Sequence, residues 1–127
     1  MRRVRSMSER TLYDKVWARH KVTDLPTGED QLFIGLHLMH EVTSPQAFGM
    51  LQERGLEVAF PDRTFATTDH IVPTEPAARE RPLADPKAET MLQALEENVA
   101  ANEITFYGLG SEYQGITHVI APELGLS

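Results

Sequence analysis

The stretch QLFIGLHLM, residues 31–39, is almost continuously apolar yet too short for a typical buried helix, and it runs directly into a helix signature. A run of that length suits a strand covered on both faces, the usual condition of strands in a parallel sheet. The segment that follows, HEVTSPQAFGMLQERG, is dense in helix signals: Ser44 as N-cap, Pro45 at the first helical position, Phe48 and Leu51 facing inward, and Gly55 at the C-terminal stop. Strand into helix is therefore the expected geometry, with a central parallel sheet.

The same alternation continues along the chain. Residues Thr64 to Val72 are rich in β-formers and stop at Pro73. Pro73, Pro76, Pro82 and Pro86 then mark residues 73–87 as an irregular surface connection. Met91, Leu92, Leu95 and Val99 recur at helical spacing, and a strand at Ile104 to Tyr107 precedes a Gly-containing turn. Ahead of the sheet, Ser8 or Thr11 caps a first helix, with Asp14 three residues after Thr11. Leu12, Val16 and Trp17 supply its apolar face before a turn at Pro26-Thr27-Gly28. The order β-α-β-loop-α-β predicts a layered α/β fold, without giving the strand order. Residues 1–7, which end at a second methionine, Met7, read as a flexible leader or an early start, and residues 8–127 as one domain or a piece of one.

Composition narrows the function classes. The formal charge of −7 argues against a nucleic-acid partner. The chain has no cysteine, so it forms no disulfide and supplies no thiolate to a metal or an iron–sulfur cluster. No apolar run approaches the roughly 18 to 20 residues that span a bilayer, and nothing resembles a secretory signal. No membrane partner and a cytoplasmic location are expected.

The chemistry concentrates where the second strand ends, in TFATTDHIVP, residues 64–73. A carboxylate beside an imidazole is the minimal proton-transfer pair, the acid fixing the ring's tautomer and stabilising its charged form. On a regular strand Asp69 and His70 would point to opposite faces, so they can meet only where the backbone turns. The proline-rich connection makes that departure plausible, and strand ends are where open α/β sheets bind ligands. A structural turn pair is the competing reading. His37 and His40, three apart on a strand, would face opposite sides, and no third ligand stands at a suitable spacing, so metal binding by this pair is not expected. His40 precedes Glu41 and the Ser44 cap, where free backbone N–H groups at the helix start can hold a carboxylate; Ser44 as a simple cap is the alternative. His118, in YQGITHVIAPELG, follows a flexible glycine and has apolar neighbours, and on these residues alone it reads first as a buried histidine with one backbone partner.

Four stretches carry a family resemblance: TLYDKVWARH (11–20), HLMHEVTSPQAF (37–48), TFATTDHIVPT (64–74) and YQGITHVIAPELG (113–125). In this order they resemble the amino-terminal end of the large subunits of the 3-isopropylmalate dehydratases, within the aconitase superfamily, over nearly the whole chain after the leader. The resemblance implies an aconitase-type layered α/β/α domain, incomplete in this chain. It also implies a hydro-lyase that isomerises 2-isopropylmalate to 3-isopropylmalate through isopropylmaleate in leucine biosynthesis. A four-iron four-sulfur cluster is the family's Lewis acid on the leaving hydroxyl. By the same carry-over, His70 matches the histidine that protonates the departing hydroxyl and Asp69 its carboxylate partner. His118 matches a second active-site histidine, and His40 falls at a substrate-contacting position. Ser44 beside it is a cap that also orients substrate.

The departures shape the expectation as much as the matches. The cluster-ligating cysteines of the family are missing, as is the Gly-Asp-Ser-His-Thr motif expected after PELG. The proton-abstracting serine resides on a swivelling domain that bacterial and archaeal enzymes carry as a separate small subunit. The implied partners are thus that small subunit, the remainder of the large subunit, and 2-isopropylmalate or 3-isopropylmalate. The chain alone is expected to be inactive. Alternatives are a non-catalytic binding or regulatory module of the same fold, or a homoaconitase-type hydro-lyase of another 2-hydroxy di- or tricarboxylate.

Overall fold

A computed structural model describes residues 10–126, so the expected leader at 1–7 and the Ser8 cap lie outside the described residues. The chain divides between Gly35 and Leu36 into two compact units.

The first unit is a helix and a hairpin. Helix α1, Leu12–His20, starts with a full capping box: Thr11 Oγ1 accepts from the Asp14 N–H at 3.1 Å while the Asp14 carboxylate accepts from the Thr11 N–H at 3.0 Å. Strands β1, Lys21–Asp24, and β2, Asp30–Leu32, pair antiparallel. Between them Gly28 takes φ +91°, which lets the Pro26-Thr27-Gly28 turn close. The expected single strand over 31–39 is corrected here. Its first residues belong to this hairpin, the chain leaves strand geometry from Phe33 to Leu36, and only His37–Met39 joins the parallel sheet. Gly35, which has no side chain to pack, lies in the middle of that interruption.

The second unit is the parallel α/β layer. Strands β3, His37–Met39, β4, Thr64–Thr67, and β5, Thr105–Tyr107, lie in the order β3-β4-β5 with every pairing parallel. Helix α2, Ser44–Glu53, connects the first two, and α3, Pro86–Ala101, leads to the third. One core joins Phe48 of α2, Ala66 of β4, Leu95 and Val99 of α3, and Ile104; a second holds Leu83, Ala88 and Leu92. Helical spacing places Leu92, Leu95 and Val99 on the buried face of α3, as the periodicity predicts. Gly55, at φ +63°, follows the end of α2 in the left-handed conformation that stops helices.

Between β4 and α3 the proline-rich connection is irregular apart from a short 3-10 turn at Pro76–Arg79. It is tied to α3 by Glu89. The carboxylate of Glu89 receives the Arg81 guanidinium at 2.6 Å and the Leu83 N–H at 2.8 Å, while Arg81 also reaches Glu96 at 2.6 Å. Helix α4, Thr117–Glu123, was not apparent from the sequence; Pro122 within it obscured the pattern.

Candidate functional site at the ends of the parallel strands

β4 ends at Thr67, five residues short of the expected end at Val72, so Thr68, Asp69 and His70 lie beyond the ladder. Leaving the pleat removes the opposite-face constraint. His70 Nδ1 stands 3.6 Å from Asp69 Oδ2, a charge-pair distance slightly longer than a hydrogen bond. The Asp69 side chain is 13% exposed and that of His70 51% exposed, so the acid is sheltered while the ring reaches solvent. Gln114 Nε2 donates to the Thr68 carbonyl at 2.8 Å, and the Thr67 hydroxyl donates to the Tyr107 carbonyl at 3.1 Å, fixing the backbone from which the pair departs.

His40, at the matching end of β3, stacks its ring on His70, with centroids 3.9 Å apart and an interplanar angle of 18°. Its Nδ1 accepts from the Val42 N–H at 3.3 Å. Because a backbone N–H needs an acceptor, Nδ1 carries no proton in this arrangement, and Nε2 is the position left to donate. His40, Asp69 and His70 are therefore brought together from segments that are far apart in sequence.

Glu41 completes the cluster and was missed as a functional candidate. It is fully buried, and its carboxylate accepts from the Asp69 N–H at 2.9 and 3.2 Å and from the Ile71 N–H at 2.7 Å. The signal available in the sequence was an acid placed directly between an apolar strand and a helix start, where its charge would need internal partners. His40, Glu41 and His70 present ligand atoms within 4.8 Å of one another, so a third donor to His40 comes from across the sheet and not from HLMH spacing. Both Glu41 oxygens already accept backbone N–H groups, and near-parallel stacked rings direct their in-plane lone pairs alongside each other instead of toward one point. The geometry therefore favours an ordered polar cluster over a metal centre.

Ser44 is not the helix cap. Thr43 occupies that position with φ −100° and ψ −18°, without a side-chain cap hydrogen bond, and Ser44 is already helical. Capping needs an extended backbone that turns the side-chain oxygen back over the first N–H groups; the turn through 41–43 keeps the chain in the α region instead. Ser44 is buried, and neither its hydroxyl nor that of buried Thr68 has a hydrogen-bond partner in the structure. His118 is exposed on α4, correcting the expectation of a buried histidine. It lines a concavity of about 400 Å³ with Leu38, Thr117, Ala121 and Pro122, and is not part of the His40–Glu41–His70 cluster.

The class defined by this fold is a parallel α/β layer carrying its polar side chains at the carboxyl ends of the strands. The chain belongs to the aconitase family, described as aconitate hydratase, whose sequence model matches residues 14–127. It is 68% identical over 121 residues to the 3-isopropylmalate dehydratase large subunit of Salinibacter ruber, covering 95% of this chain and 25% of that protein. The large subunit of the same name from Trichormus variabilis is 67% identical over 121 residues, covering 95% and 26% of the two chains. That of Thermosynechococcus vestitus is 66% identical over 122 residues, covering 96% and 26%. The chain thus spans about a quarter of the length of the curated relatives it matches. No solved structure matches it. No helix among the described residues is long and apolar enough to cross a membrane.

Proposed function

We propose that the chain forms the amino-terminal part of a 3-isopropylmalate dehydratase large subunit, with residues 8–127 belonging to its catalytic domain. The whole enzyme interconverts 2-isopropylmalate and 3-isopropylmalate by dehydration and rehydration, in company with a small subunit that carries the swivelling domain. The observation that carries this reading is the meeting of His40, Asp69 and His70 at the strand ends, in a chain 64–68% identical to proteins of that name.

In this reading the half-exposed His70 ring delivers a proton to the departing hydroxyl and Asp69 orients the ring. The 3.6 Å separation closes to a hydrogen bond by a small side-chain rotation, a tightening common when substrate arrives. His40 offers Nε2 to the substrate, buried Ser44 orients it, and His118 supplies a second imidazole once the rest of the site is assembled. The family's chemistry also implies a four-iron four-sulfur cluster. Such clusters are held by cysteine thiolates, and this chain has no cysteine. His40, Glu41 and His70 offer nitrogen and oxygen donors, so the residues present do not fit that group. The chain's share of the reaction is confined to binding, orienting and moving protons, and by itself it is inactive.

The test is turnover of 2-isopropylmalate by the assembled two-subunit enzyme carrying His70→Asn. Loss of general acid catalysis lowers kcat about 10²- to 10⁴-fold. Turnover within twofold of the unsubstituted enzyme would overturn the assignment.

A further inference from the structure

We propose that Glu41 is a positioning residue for the Asp69–His70 pair; this rests on the reading of that pair as the proton-handling group. A fully buried carboxylate is costly unless its charge is met by hydrogen bonds. Among the described residues Glu41 has no ion pair with a basic side chain. Its charge is met by the backbone N–H groups of Asp69 and Ile71, which flank His70 on both sides. A carboxylate that accepts from the N–H groups of residues 69 and 71 holds the 68–69 and 70–71 peptide planes, which bracket Asp69 and His70, and so restricts the direction in which both side chains leave the backbone.

The clamp and the stacking surface come from adjacent residues. His40 lies one residue before Glu41, and its ring covers one face of His70. The β3 end thereby holds His70 twice, through its flanking backbone and through its ring face. Asp69 benefits as well, since the N–H that Glu41 binds is its own. No other buried acidic side chain plays a similar part among the described residues. Glu89, the other buried acid, binds Arg81 and Leu83 in the proline-rich connection.

Substituting Glu41→Gln keeps the size but places an amide N–H₂ against a backbone N–H, two donors facing each other. Glu41→Asp keeps the charge one methylene short. In the assembled enzyme, E41Q is expected to lower kcat about 10- to 100-fold with KM within about threefold, because misplacement of a reacting group affects the chemical step. E41D recovers part of the loss. Combined with His70→Asn, E41Q adds little further loss, since the clamp acts through the residue already removed. A double variant losing the product of the two single effects would show a separate structural contribution and overturn the proposal, as would E41Q with unchanged kcat. If E41Q does not fold, E41D decides: kcat unchanged at unaltered melting temperature also overturns it. If H70N itself leaves turnover intact, the reading of the pair fails; if H70N abolishes turnover and E41Q does not reduce it, the positioning role fails and the pair stands.

Discussion

Two parts of this chain solve the problem of order in opposite ways. The parallel α/β layer has an apolar interior in which Leu92 and Leu95 are fully buried and Phe48, Ala66, Val99 and Ile104 nearly so. Helix α1 buries no residue, and Leu12, Tyr13 and Val16 on it are exposed. Its surroundings are ordered by polar contacts: Trp17 Nε1 donates to Asp30 at 2.6 Å, and Lys21 bridges Asp24 and Asp30 at 2.6 and 2.8 Å. One unit is specified by apolar volume, the other by capping and charge. The candidate site is built on the first kind, where a reacting group can be held firmly against a packed scaffold.

The sharpest way to break this comparison is to open the core. Leu95→Ala, from the centre of the larger cluster, removes buried methyl and methylene groups and leaves a cavity; the expected loss is about 2–5 kcal/mol, read as a lower denaturation midpoint of the parallel layer. A smaller loss would mean that the layer is no better packed than the hairpin unit.

Acid tests the polar tie of the second unit next. The Arg81 guanidinium first, then the Leu83 N–H, hold the Glu89 carboxyl at about 2 against an ordinary value of 4.5. A carboxyl depressed in the folded state contributes stability that is complete above its unfolded value and is lost as pH falls toward the folded one. Thermal midpoints recorded from pH 5 down to pH 2 should therefore fall, and fall less steeply in Glu89→Gln. Equal slopes in the two proteins would remove Glu89 as the tie between the proline-rich connection and α3.

The smallest expected effect belongs to the first unit. Thr11→Ala removes the reciprocal cap of α1 and costs about 1 kcal/mol of local helix stability, seen as faster amide exchange in residues 12–20. Exchange in β3, β4 and β5 should be unchanged. Acceleration there would show that the cap also supports the sheet.

Much of the parallel layer was legible because its signals are local. Phe48 on α2, the run Leu92, Leu95 and Val99 on α3, and Gly55 at the helix stop each follow from spacing or backbone preference. The break near Gly35 was hidden because QLFIGLHLM is apolar on both sides of it, and periodicity does not register a division inside an apolar run. Ser44 shows a different limit: the right residue type stood at a helix start, but the turn before it set the backbone that decides capping. Asp69 and His70 were recognisable as a pair from their adjacency. Glu41 was not, because its partners lie about thirty residues away and are backbone groups of no particular sequence.

The parallel register has a consequence for the order of folding events. His37 lies opposite Thr64 and Phe65 opposite Thr105, so each pairing must await the closure of a long crossover. The hairpin that sets Lys21 against Leu32 closes across one short turn. Hairpins form in about 1–10 μs, whereas sheets built from distant segments are slower because chain entropy is lost before their contacts form. The Asp69–Ile71 turn cannot be captured by Glu41 until β3 and β4 are side by side, so the Asp69–His70 pair is expected to be assembled in the late phase of folding, after the hairpin has had time to form.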